Sequence, residues 1–265
     1  MSPFLVFFLS LLVVAPCIAG DINQVDTYLA GARADAYIGE EFRADVAKSI
    51  VAAQRGDDRA AWSALSSALT FCGEQRSSDG TRVYSVSNDA EAKEYLASAE
   101  AGVRTTFVDH ACPAAYKAAA FLAVRASDSQ AAFAYLDRAQ ELAPHWAEPV
   151  AERAYLVGKL GDRAASLEIY QAALGLTERY PSSAYVRPLV LRGIGFALIE
   201  LDRLDEAQRA FETSLALEPT SELAKKEMIY IQQHLTNLRT NPSQPQGQPA
   251  SAASAAASGP ENISV

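Results

Sequence analysis

The chain has 265 residues, 49% of them apolar and 21% charged, an ordinary globular composition with room for one or two domains and a sizeable core. Its 23 lysines and arginines stand against 32 acidic residues, a net charge of −9. That balance excludes broad electrostatic capture of nucleic acid, which needs basic side chains to displace counterions from phosphates.

Met1 to Gly20 carries no charged side chain, and Phe4 to Val14 is an apolar run broken only by Ser10. The run is shorter than the roughly 20 residues a membrane-spanning helix requires. Pro16 then breaks it, and the small residues Ala19 and Gly20 follow. This is the order of the apolar and cleavage regions of a secretory signal peptide. Residues 1–20 are therefore expected to be a signal peptide, with the mature chain starting at Gly20 or Asp21 and exported, to the periplasm or beyond. An uncleaved anchor and a lipidated Cys17 are the alternatives.

Cys72 and Cys112 remain after such a cut, an even number that suits a disulfide in an oxidising compartment. The bridge would close a loop of about 41 residues and contribute roughly 4 kcal/mol in the chain-entropy view. Two separate buried thiols are the other reading. No CxxC is present, so neither a redox motif nor a zinc ribbon is indicated.

Most of Asp21 to Arg239 reads as helix, being rich in Ala, Leu, Glu, Arg and Gln, which lose little entropy on helix formation. Apolar residues recur at helical spacing, as in Ala132, Leu136, Ala139 and Ala143. Gly73 to Ser87 is polar and reads as a loop, with strand-like alternation only at Val83 to Val86. A helix is expected near Asp89 to Phe107. Ser221 to Leu238 reads as a capping helix with Lys225, Lys226 and Glu227 on its surface. The stretch 239–265 is built mainly from Pro, Gln, Ser, Gly and Ala and is expected to be a disordered tail. Asn262-Ile263-Ser264 matches the N-glycosylation triplet, a short and weak motif.

Three stretches share one pattern: a small residue, a large apolar one four later, and a small one three after that. The sets are Ala132, Leu136, Ala139; Ser166, Tyr170, Ala173; and Ala207, Phe211, Ser214. Another amphipathic segment precedes each, joined through the turn residues Ser127, Gly161 and Asp202. Such helix hairpins cannot bury their faces alone and must stack. In this the chain resembles the tetratricopeptide repeat (TPR) family, whose period of about 34 residues matches the step from Ser127 to Gly161. The resemblance covers Pro113 to Thr220. Tyr116, Ala120, Ala132, Ala139 and Pro144 carry the first repeat; Leu191, Ile194, Gly195, Leu198, Ala207, Phe211, Ser214 and Pro219 carry the last. The middle repeat has Ala154 as its small first-helix residue and a surplus over Glu178 to Arg187, which should lengthen its second helix or the loop after it. A degenerate copy is expected over Phe42 to Gln75, with Gly56 at its turn and Ala61, Leu65 and Ala68 as its set. The resemblance thus implies an all-α fold, a right-handed superhelical array of three clear hairpins and one degenerate one. Residues 21–112 would form the N-terminal helical region, 113–220 the array and 221–238 the cap. A Cys72–Cys112 bridge would clamp Gly73 to Ala111 onto the array as a lobe.

No catalytic constellation is evident. His110, His145 and His234 are far apart in sequence and match no metal-ligand spacing; each is expected to face solvent or cap a helix. Gly193-Ile194-Gly195 lacks a third glycine and a preceding strand, so close helix packing accounts for Gly195. Glu40-Glu41 and Asp57-Asp58 read as solvated surface. No enzyme, metal or cofactor is expected, and no membrane span once the signal is removed. The resemblance implies that first helices line a groove for a protein or peptide partner, with Lys117, Phe121 and Arg125, then Glu148, Glu152, Tyr155 and Lys159, then Arg192, Phe196 and Glu200 facing it. Phe121, Tyr155 and Phe196 fall at equivalent places. They form either an aromatic ladder for a partner or ordinary packing between first helices. The two-Lys, two-Asn clamp of chaperone-binding members is not matched. The expected function is a non-enzymatic scaffold or assembly adaptor outside the cytoplasm. An immunity-type inhibitor of a basic toxic enzyme, steered by acidic charge, is the alternative. A hydrolase built on the insert would need a Ser or Cys paired with His110.

Overall fold

The computed structural model describes residues 37–99 and 101–240. The expected signal peptide, Cys17 and nearly all of the expected tail, Asn262 included, lie outside the described residues. So does the helix expected from Asp21 up to residue 36.

The described chain is predominantly helical. After a 3-10 turn (Glu40–Phe42) come α1 (Arg43–Gln54) and α2 (Asp58–Glu74), then β1 (Thr81–Val86), α3 (Asp89–Ala97) and β2 (Arg104–Asp109). There follow α4 (Ala111–Arg125), α5 (Ser129–Leu142), α6 (Ala147–Lys159), α7 (Arg163–Arg179), a 3-10 helix (Pro181–Val186), α8 (Arg187–Glu200), α9 (Leu204–Leu217) and α10 (Glu222–Thr240). The pairs α1/α2, α4/α5, α6/α7 and α8/α9 pack as hairpins, and each hairpin also contacts the next, with α10 covering α9 at the end.

The local reason for each hairpin is a repeated turn. Gly56 (φ 81°), Ser127 (φ 61°), Gly161 (φ 106°) and Asp202 (φ 59°) are left-handed, the four positions the repeat pattern marks as turns. A left-handed residue ends a helix by redirecting the chain. In three of the four, an aspartate comes next and caps the following helix. The side chains of Asp57, Asp128 and Asp162 accept from the N–H groups of Ala60, Ala131 and Ala165 at 2.9, 2.9 and 3.0 Å. In the fourth, Arg203 takes that place without a side-chain cap.

The small-large-small sets are all buried. Ala61, Leu65, Ala68, Ala132, Leu136, Ala139, Ser166, Tyr170, Ala173, Ala207, Phe211 and Ser214 all lie in the core. Small residues let helices approach until the large side chain fills the space between them. A Cβ added at Gly195 would lie 2.5 Å from the Phe211 ring, and one at Gly193 would lie 2.2 Å from the Tyr170 ring. The two glycines therefore admit α8 to its own partner helix and to the preceding hairpin. The surplus of the third hairpin goes to both places expected: α7 runs to Arg179, and the 3-10 helix follows.

The insert differs from its expectation. Gly73 to Ser87 is not all loop, and the Asp89–Phe107 stretch is not all helix. β1 and β2 pair in parallel from Thr81↔Arg104 to Val86↔Asp109, with α3 as the crossover. One face of this small sheet places Val83 and Val108 against Cys72, Cys112, Tyr116 and Leu142; the other places Tyr84, Val86 and Phe107 with Ala92 and Tyr95. The β-branched run Val103, Thr105, Thr106 and Val108 was the available strand signal. Cys72 and Cys112 form a disulfide with a Cα–Cα distance of 5.4 Å, tying the end of α2 to the start of α4 across the insert.

Candidate functional site at the junction of insert and array

The chain departs from a regular hairpin array in two places, the insert and the surplus turn around Pro181–Val186. Folding brings the two together over the loop between α5 and α6. Glu94 of α3 accepts from Ser182 N and Oγ at 3.0 and 2.7 Å. Ser183 Oγ donates to His145 O at 2.7 Å and accepts from Ala147 N at 2.9 Å, giving α6 the cap that Trp146 does not supply. The His145 ring lies between the rings of Tyr95 and Tyr180, with centroids 4.0 and 3.6 Å away, and Tyr84 stacks on the far side of Tyr95 at 4.5 Å.

A polar cluster adjoins this stack. Lys117 of α4 forms an ion pair with Glu148 of α6, both largely buried. Tyr185 OH donates to Glu148 Oε1 at 3.0 Å and accepts from Trp146 Nε1 at 2.8 Å. Lys117 Nζ lies 5.3 Å from the centre of the Trp146 ring, and His110 meets that ring edge-on. Glu152, one turn along α6 from Glu148, is buried with Oε2 unbonded. Burial pushes its carboxyl up to about 8, against the pull of Lys117 and with the push of Glu148. Burial likewise lowers His110, with Glu91, Glu148 and Asp109 opposing. Lys117 is held above the ordinary lysine range: burial works against its charge, while Glu148 and Glu152 more than offset it.

The ten residues expected in a groove divide into groups. Lys117, Glu148 and Glu152 meet in this cluster. Arg125 reaches back to Asp58 of the first hairpin at 2.9 Å, and Glu200 pairs with Arg163 of the third at 3.0 Å. Lys159 is exposed. Phe121 and Tyr155 are buried in the core. Phe196 is half-buried, edge-on to Phe211 at 5.3 Å. Arg192 is buried and turns to Ser214 and Glu218 beside its own partner helix. The histidine expectation also needs correction. His110, at the N-cap position of α4 without a side-chain cap, and His145 are buried rather than solvent-facing; only His234, beside Tyr230, stays partly open.

The aromatic and serine residues of the junction were missed by sequence reasoning. Tyr95, Trp146, Tyr180, Ser183 and Tyr185 lie outside every repeat pattern. Their one signal was position: all but Trp146, which lies in the α5–α6 loop, fall in or beside an interruption of the repeat. A scan against protein-family models finds no match to this chain, and a search of curated proteins finds none either.

Proposed function

We propose that the chain is a tetratricopeptide-type helical array that docks segments of other proteins without catalysing a reaction, acting as a scaffold or assembly adaptor outside the cytoplasm. The observation that carries the reading is the fourfold recurrence of one buried small-large-small set behind one left-handed turn residue. Stacked units of that kind present a continuous surface of first helices, which is how helical-repeat proteins bind extended partners. The disulfide between α2 and α4 supports an oxidising compartment. Among the described residues no helix is long and apolar enough to cross a membrane.

The partner-facing residues are now Lys159, Phe196 and the rim of the Lys117–Glu148 pair, since Phe121 and Tyr155 are taken up by packing. Photo-crosslinkers placed at Lys159 and Phe196, on first helices, are compared with others at the exposed second-helix positions Gln171 and Glu212. A partner protein captured from the first-helix positions alone supports the reading. Equal capture from both faces, or from neither, removes it.

A further inference from the structure

We propose that His145 is an acid-sensitive latch: neutral, it clamps helix α3 of the insert to the array, and protonated, it releases that helix while the disulfide keeps the insert tethered. The inference is independent of any partner.

The clamp is a stack of four rings from four separate pieces of chain: Tyr84 from β1, Tyr95 from α3, His145 from the α5–α6 loop and Tyr180 from the end of α7. Stacked faces at such distances bring apolar contact together with a specific orientation. His145 holds the middle on both sides, so its ring joins α3 to the end of α7 beside the direct Glu94–Ser182 hydrogen bonds. Its backbone is fixed as well, by Ser183 Oγ on its carbonyl and by its N–H on Tyr95 OH at 3.3 Å.

The surroundings of Nδ1 suit a neutral ring. Nδ1 of His145 is buried and makes no hydrogen bond. A neutral imidazole tolerates this by leaving that nitrogen unprotonated, whereas an imidazolium carries a proton on both nitrogens. The added N–H would point into protein with no acceptor, and a buried unpaired charged donor is costly. The facing groups do little to relieve it. The faces of Tyr95 and Tyr180 attract a cation but offer no acceptor to an Nδ1 proton, and Ser182 and Ser183 are uncharged. On α3, Glu94 is the one charge acting on the ring, and it favours protonation, but its oxygens are engaged by Ser182, and burial outweighs it. Glu91, one turn earlier, is occupied by Ser87 N at 2.7 Å. Undocking α3 admits water to Nδ1 and removes the penalty.

The inner face of the sheet would stay in place. Val83 and Val108 pack against the disulfide region, Arg43 pairs with Asp109 at the end of β2, and Ser85 Oγ donates to Asp109 O. None of these contacts involves the stack, so release is confined to α3 and the turn it touches.

The test uses the whole disulfide-intact chain. Hydrogen exchange, corrected for its intrinsic pH dependence, is followed between pH 7.5 and 5. Protection of the Asp89–Ala97 and Pro181–Val186 amides should fall by about tenfold per pH unit below the His145 midpoint, with α8 and α9 unchanged. His145→Phe, which keeps a flat ring without a titrating nitrogen, should make that protection independent of pH. An unaltered pH response in H145F overturns the proposal, as does uniform or absent loss in the unmodified chain. Should H145F fail to fold, imidazole titration by NMR decides: a His145 midpoint below 6.5 that coincides with the loss of α3 protection supports the latch, and a midpoint at or above 6.5 overturns it.

Discussion

Ser49 and Gly193 show how far single positions are determined by their neighbours. Ser49 sits in α1 with its hydroxyl buried and unbonded. An unpaired buried hydroxyl costs about 1 kcal/mol or more, and alanine is the better helix former. Ser49→Ala is therefore expected to raise the denaturation midpoint without changing its slope. Gly193 is the opposite case, because any side chain there meets the Tyr170 ring. Gly193→Ala should destabilise by about 1–3 kcal/mol, the usual range for overpacking, read as a lower midpoint in chemical denaturation. Glu152 links burial to pH. Its folded carboxyl titrates near 8 against an ordinary 4.5, so between those values the folded chain holds a proton that the unfolded chain has lost. Its contribution to stability is complete below about pH 4.5 and is lost as pH rises towards 8, at up to about 1.4 kcal/mol per pH unit. Unfolding curves of Glu152→Gln from pH 5 to 8 should lack that decline. His110 and His145, both lowered by burial, act in the other direction, withdrawing stability as pH falls below the ordinary histidine range near 6.5.

At the level of elements, the hairpin is set by its turn. A left-handed residue, an aspartate cap and a small residue facing the partner helix recur in near-identical order. Removing one cap should cost about 1 kcal/mol, so Asp128→Ala should lower the melting temperature of the chain. Arg203→Asp should raise it, by giving α9 the cap that α2, α5 and α7 already have. Neighbouring hairpins are also joined by ion pairs, Arg125 with Asp58, Lys117 with Glu148, and Arg163 with Glu200. The exposed ones contribute little to stability but fix the register of one hairpin on the next. Side chains that the family resemblance assigns to a partner are thus partly used to hold the hairpins together.

The whole molecule is an array with a side unit, and the disulfide sits where the two join. It closes a 40-residue separation, so its removal frees the insert as well as lengthening the unfolded loop. Paired Cys72→Ser and Cys112→Ser substitution should cost up to roughly 4 kcal/mol, a large share of the 5–15 kcal/mol typical of a domain. Protease cleavage should then appear first between Gly73 and Ala111; cleavage starting in α8 or α9 instead would show that the bridge does not hold the insert.

The Cys72–Cys112 bridge was one of two readings open to the sequence; by itself the sequence determined the hairpins, their turn residues and the buried sets. All of these depend on periodicity or on local backbone preference, and a helix hairpin satisfies most of its hydrogen bonds within about 34 residues. The tertiary structure alone decided the parallel pairing of β1 with β2, since a two-stranded parallel sheet joins residues separated by a crossover and carries little local pattern. It also decided the fate of the first-helix side chains. The family resemblance implied that Phe121, Tyr155 and Arg192 share one surface, but all three are buried, Arg192 beside Glu218 just after α9. The ring stack around His145 was the least legible feature, because its four members come from segments that are distant in sequence and meet only where two interruptions of the repeat coincide in space.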